Sequence, residues 1–264
     1  MIKTLKNLLK QDKERYTVPR KVQDVIPIRR IWKDGVFQVG GRFSKTYQFT
    51  DINYLVASRE DKEQMFLAYS ELLNSLDSGA TTKIPFNNRR LNRANFEQSI
   101  LMPMRGDACD VYRREYNQML LDKATGANGI IQEKYITVSV CKKNIEEART
   151  YFARIGADLI AHFAALGSKC TELDAAEKLR VLHDFYRQGE EAAFHFDPQD
   201  MMRKGHDFKD YICPDSLEKS SDCLKLGEKY CRVLFLKDYA SYIKDSMVTE
   251  LTDFNRNMML SIDV

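Results

Sequence analysis

No run in the 264 residues approaches the roughly 18 consecutive apolar side chains of a membrane-spanning helix. The first residues, Met1-Ile-Lys-Thr-Leu-Lys, lack the apolar stretch of about 7–15 residues that marks a secretory signal. The chain is therefore expected to be soluble and cytosolic. The six cysteines, Cys109, Cys141, Cys170, Cys213, Cys223 and Cys231, include no Cys-x-x-Cys pair, the spacing from which a zinc site draws two ligands off one turn. Several sit in apolar settings, such as Cys141 after Val140, so free buried thiols in a reducing compartment are expected. The four histidines, His162, His183, His195 and His206, form no His-x-x-x-His or His-Glu-x-x-His, which removes support for zinc hydrolysis. No Gly-x-Ser-x-Gly elbow is present.

A phosphate loop is also missing. Walker A chemistry needs glycine amides wrapped around the phosphates and a lysine that reaches them. Gly35-Val-Phe-Gln-Val-Gly40 is followed by Gly41 and not by lysine, and Ser44-Lys45-Thr46 lacks the preceding glycine. Both lie in a hairpin pattern and neither opens a helix. The chain as given therefore reads as non-catalytic, with no bound cofactor and no metal.

What is present begins with an uneven charge. The net charge is +3, yet residues 1–34 hold ten Lys and Arg against four acids, leaving the remainder at −3. A basic arm on a near-neutral body suits an anionic membrane surface, nucleic acid or an acidic protein, or it is simply a solvated lead-in to the first strand. Within it, Ile2, Leu5, Leu8 and Leu9 share one helical face, while Lys3, Lys6 and Lys10 lie off it. This short basic amphipathic helix is a candidate contact with membrane or partner, or docks on its own body. A second basic run, Asn87-Asn-Arg-Arg-Leu-Asn-Arg93, offers Arg89, Arg90 and Arg93 to an anion or partner, or is a solvated loop. The Lys204–Asp215 stretch mixes charge with Phe208 and Tyr211, a composition shared by base-stacking surfaces and packed surface segments.

The periodicity is regular beyond the arm. Val25–Trp32 and Val36–Gly40 read as a hairpin around Lys33-Asp34-Gly35, and 46–50 as a further strand. Ser58-x-x-Asp61, Asn144-x-x-Glu147 and Asp174-x-x-Glu177 are three helix starts with an N-cap and an acid at N3. The first helix carries the stripe Phe66, Tyr69, Leu72, Leu73 and Leu76 and is expected to end at Gly79. The second carries Ile145, Ala148, Phe152, Ile155, Leu159, Phe163 and Leu166, and the third Leu179, Leu182 and Tyr186. Strands are expected at 81–86, 135–141, 169–173, 230–236 and 258–264. On 135–141, Ile136, Val138 and Val140 alternate with Tyr135, Thr137 and Ser139, the pattern of a strand with one wet face.

The units read β-α-β at 46–86, 134–173 and 230–264, which predicts an α+β fold with ferredoxin-like layers of mixed or antiparallel sheet under helices. Residues 1–24 form the basic arm and 25–264 the α+β domain, with a subdomain boundary expected near 126–134. The alternation of Met258, Leu260, Ile262 and Val264 reaches the last residue, so the chain is expected to be a fragment.

Five segments, Tyr16–Ile28, Tyr69–Ala80, Met119–Gly126, Lys204–Asp215 and Arg256–Asp263, together resemble the TraE-like conjugal transfer ATPases of type IV secretion systems in Gram-positive conjugative elements. The resemblance spans nearly the whole chain but contains no catalytic motif. It implies an N-terminal α+β domain that docks on inner-membrane channel subunits, ahead of a RecA-like motor that binds ATP and magnesium and energises DNA transfer or channel assembly. The motor is absent from this chain. The resemblance therefore implies a docking and regulatory role, cytoplasmic and peripheral at the inner face of the membrane, with self-association open. The alternative from the residues is a nucleic-acid-binding module that uses the basic N-terminal segment.

Overall fold

The computed structural model describes residues 19–90, 101–126, 130–235, 237–238, 241–242, 244–253 and 256–263. The basic helix expected over residues 1–10 lies outside them.

The strands of the main sheet are β1 (Ile28–Ile31), β2 (Phe37–Val39), β3 (Arg42–Phe49), β4 (Ala80–Arg90), β5 (Ile130–Cys141), β6 (Cys170–Glu172) and β10 (Met258–Asp263). Their order is β1-β2-β3-β5-β4-β10, and every pairing is antiparallel. Strand β6 also lies antiparallel to β3, with Tyr47 opposite Glu172 and Phe49 opposite Cys170. One edge of β3 is therefore shared: Arg42–Ser44 bond β2, and Tyr47–Phe49 bond β6.

Two helices join these strands. Helix α1 (Arg59–Asn74) runs from β3 to β4, and α3 (Ile145–Ala165) runs from β5 to β6. Because β5 lies between β3 and β4, and β3 lies between β5 and β6, the two β-α-β units are split and interlocked. This is a ferredoxin-like core, and the fold is α+β as the sequence predicts. The third expected unit does not form. Residues Lys229–Cys231 are β9 of a separate three-stranded sheet with β7 (Leu217–Lys219) and β8 (Leu224–Leu226), while β10 joins the main sheet beside β4. Helix α6 (Asp245–Thr252) precedes β10. The main sheet takes strands from both sides of residues 126–134.

The helix starts follow their capping residues. Ser58 accepts from the Asp61 amide at 3.1 Å, Asn144 from the Glu147 amide at 2.8 Å, and Asp174 from the Glu177 amide at 2.8 Å, the last opening α4 (Ala175–Tyr186). Helix α2 (Asp110–Gly126) and the short α5 (Pro198–Lys204) complete the set among the described residues. Helix α1 ends at Asn74, not at Gly79, because Ser75 takes the C-cap and Asp77 accepts from the Gly79 amide in the following turn.

One face of the sheet packs on α1 and α3. Phe43, Tyr47, Ile84, Ile136, Val138 and Val140 meet Leu72 of α1 and Phe152, Ile155, Leu159 and Phe163 of α3. Each fully buried side chain of this size contributes about 1.5–3 kcal/mol through burial. Gly156 lets α3 approach closely, since a Cβ there would sit 3.0 Å from the Tyr47 hydroxyl, which donates to the Phe152 carbonyl at 3.2 Å. Phe66 departs from the expected stripe: it is 66% exposed, as the core-facing arc of α1 is carried by Met65, Tyr69, Leu72 and Leu73.

The opposite face carries α4. Ala175 and Leu179 join Ile26, Ile28, Phe37, Phe208 and Ile212 in a second apolar cluster. Phe208 and Ile212 show that the Lys204–Asp215 segment is packed through its aromatic and aliphatic side chains. Cys170 and Cys213 are buried as expected, whereas Cys141 is exposed at the end of β5 and Cys109 at the start of α2; all six thiols are free.

The β1–β2 turn sets a close limit. Gly35 has φ +77°, its amide donates to the Trp32 carbonyl at 2.9 Å, and a Cβ there would overlap the Leu173 carbonyl oxygen ahead of α4. Gly40, between β2 and β3, has φ +58° with open space around it. Gly35→Ala is expected to cost about 2 kcal/mol or more, from left-handed strain plus the backbone overlap, and Gly40→Ala about 1 kcal/mol. Urea denaturation of the two variants checks this, and equal midpoints would show that the Leu173 approach is not limiting.

Candidate functional site

The polar side of β5 is not wet. Tyr135 and Thr137 on β5, and Ser44 and Thr46 on β3, face α4, so polar groups in the sheet's second layer must find partners inside the protein. Thr46 and Thr137 bond each other at 2.9 Å.

The centre of this layer is Glu133. Its Oε1 accepts from Arg89 of β4 at 3.3 Å and from Arg180 of α4 at 3.2 Å, and its Oε2 accepts from the Tyr135 hydroxyl at 2.8 Å. The Glu133 side chain is 10% exposed, and the two guanidiniums are about a quarter exposed. Burial, followed by the charge of Glu133 and its hydrogen bond, pushes the Tyr135 hydroxyl well above the usual phenol range, so it stays a donor.

A second buried group is Lys178. Its Nζ lies 3.2 Å from the Ser44 carbonyl, 3.1 Å from Ser44 Oγ and 4.3 Å over the Phe37 ring. Burial, and next the charge of Lys45, push its pKa from 10.5 down to about 7. Lys45 itself pairs with Glu172.

The third feature is a set of stranded polar atoms. Asn87 Nδ2, Arg89 Nε, both carboxylate oxygens of Asp184 and His183 Nδ1 are buried without a hydrogen-bond partner among the described residues. His183 Nδ1 stands 3.7 Å from Asp184 Oδ1, too far for a hydrogen bond. Asn87, Arg89 and Asp184 line one cavity of about 10 Å³, with Gln188, Glu191 and Asn257 around it. Each buried polar group left unmatched costs about 1–3 kcal/mol.

Sequence reasoning placed Arg89, Arg90 and Arg93 together as a basic cluster. Residues 87–90 continue β4 and are not a loop, Arg89 pairs with the chain's own Glu133, the Arg90 backbone sits opposite Ile130, and Arg93 lies outside the described residues. Ile2, Lys3, Leu5, Lys6, Leu8, Leu9 and Lys10 lie outside them too. Of the remaining histidines, His206 is half exposed, with Nδ1 3.4 Å from Asp210 Oδ2 and its ring edge-on to Tyr211. Sequence reasoning missed Glu133, Lys178, Arg180 and Asp184. Lys178 did leave a signal, since it falls between Ala175 and Leu182 on the apolar arc of α4. Glu133 left none, because an acid ahead of Tyr135 and Thr137 looks like the wet side of a strand.

A different surface is apolar and open. Leu55 is 89% exposed, Val56 77% and Leu67 61%, beside the exposed Phe66. Lys62, one turn before Phe66 on α1, donates to the Leu55 carbonyl at 3.3 Å and lies over the Tyr54 ring, which ties segment 54–56 to this side of the helix.

Among the described residues, no group of His, Cys, Asp and Glu is arranged to hold a metal ion, and no helix is long and apolar enough to cross a membrane. No family model matches this chain, and no curated protein matches it.

Two outcomes follow from the buried layer. The folded chain binds fewer protons at Lys178 than the unfolded chain between about pH 7 and 10.5, so this group makes stability rise with pH across that window and imposes its full cost below it. Lys178→Met is therefore expected to gain on the natural chain by on the order of 3 kcal/mol at pH 6, the gain shrinking toward pH 10; urea midpoints at pH 6, 8 and 10 read it. Glu133→Ala strands two guanidiniums and is expected to cost about 3 kcal/mol, against roughly 0.5 kcal/mol or less for Glu63→Ala in the exposed pair with Arg59. Similar losses at the two sites would contradict the internal role of Glu133.

Proposed function

We propose that this chain is an N-terminal, non-catalytic docking and regulatory domain of a type IV secretion ATPase of the conjugation type, bound to inner-membrane channel subunits. The reading starts from the five segments that resemble that family. The observation that supports a docking role is the exposure of four large apolar side chains, Leu55 and Val56 just before α1 and Phe66 and Leu67 on it. Large side chains exposed next to one another mark interaction surfaces, because water contact with them is relieved when a partner covers them. The site would be cytoplasmic and peripheral to the membrane. Transfer of DNA would be energised by a RecA-like motor with ATP and magnesium elsewhere in the parent protein.

Co-purification with detergent-extracted channel subunits of the same conjugative element tests the proposal. The natural chain is expected to be retained, and a Leu55→Asp/Phe66→Asp double variant to lose retention at least tenfold while keeping its melting temperature. Equal retention of the two chains would remove this surface from the docking role. If no channel subunit is retained, and the chain instead binds DNA with an affinity that falls steeply with salt, the nucleic-acid module becomes the reading. Co-sedimentation with anionic liposomes, with and without residues 1–10, tests the membrane contact of Ile2–Lys10 separately.

A further inference from the structure

The cavity at Asn87, Arg89 and Asp184 is bounded by groups of opposite demand. Arg89 Nε and Asn87 Nδ2 carry hydrogens with no acceptor among the described residues. The two oxygens of Asp184 can only accept while ionised, and no group among the described residues donates to them. Asn87 and Arg89 lie two residues apart on β4 and so share a face, while Asp184 comes from α4. The space between them, about 10 Å³, is close to the minimum that admits one water-sized species.

The chemistry of the lining selects the occupant. A bare cation would suit Asp184, but it would lie against the Arg89 guanidinium and leave both N–H groups unsatisfied. An anion would suit the two donors, but it would face the carboxylates of Asp184 and Glu191. A species that accepts and donates at once satisfies all of them. The geometry points to a binding site for a single ordered water molecule, which accepts from Arg89 Nε and Asn87 Nδ2 and donates to the Asp184 carboxylate. Three partners are the usual number for a buried water.

The water completes a circuit. Glu133 accepts from Arg89 and from Arg180, and Arg180 stands one helical turn before Asp184 on α4. With the water in place the order is Arg180, Glu133, Arg89, water, Asp184 and back along α4 to Arg180. The site is thus a solvent-bridged ion pair that fastens the far end of α4 to β4.

A crystal structure of the whole chain, at a resolution that shows waters, tests the inference. One peak is expected in the cavity at hydrogen-bonding distance from Arg89 Nε, Asn87 Nδ2 and Asp184. An empty cavity, or Asp184 turned to meet Arg89 directly, overturns it. So does an anomalous signal in the cavity after a thallium soak, which would make the occupant a cation. In solution, oxygen-17 relaxation dispersion of the natural chain is expected to report one more long-lived internal water than Asp184→Leu, or than Asn87→Leu if the former does not fold. An equal count overturns the inference as well.

Discussion

A carboxylate taken out of water must be met on both oxygens, and Glu133 is met by three donors from three elements: Arg89 of β4, Tyr135 of β5 and Arg180 of α4. The rest of the second layer depends on this. Because α4 is held over the polar side of β5, Tyr135 and Thr46 are removed from solvent, and Lys178 is carried into the interior, where Ser44 and the Phe37 ring receive it. A sheet covered on both faces would ordinarily be apolar on both. Here one face is apolar and the other is an internal polar layer, whose members keep one another satisfied or leave room for solvent.

This division separates two kinds of surface. The ferredoxin-like core, with α1 and α3 on one face and α4 on the other, uses its large apolar side chains internally. The outward side of α1 and the segment before it leave Leu55, Val56, Phe66 and Leu67 in water. A domain that has already closed both faces of its sheet has little internal use for these four residues, which is the physical argument behind the docking role proposed for them.

The α+β class and the split units at 46–86 and 134–173 were legible because their signals are local: a cap with its acid three residues on, a 3.6-residue stripe, a two-residue alternation. The same locality explains the failures. Alternation at Tyr135, Thr137 and Ser139 says that two faces differ, but not that the polar one is covered, since the cover is α4, forty residues further on. Phe66 fits the spacing of the α1 stripe, yet it falls just off the arc that meets the sheet. The run 87–93 looks like a loop from its amides and arginines, and residues 87–90 are strand because β5 supplies a ladder partner to all four and β10 to Asn87 and Asn88. Strand propensity is overridden by such neighbours. Glu133 and Asp184 could not be found from sequence at all, because their importance lies in which donors approach them or fail to.

The shared edge of β3 has a consequence for how the chain reaches this state. Thr46 bonds Thr137, 91 positions away, and Lys45 bonds Glu172, 127 positions away. Neither β5 nor β6 can stabilise β3 until a long stretch of chain has been brought round, and the entropy of that closure is lost before the contacts repay it. The two split units cannot form one after the other either, since each places its strands around a strand of the other. The ferredoxin-like core is therefore expected to form cooperatively at a rate set by these non-local pairings, between local helical bundles and all-β barrels.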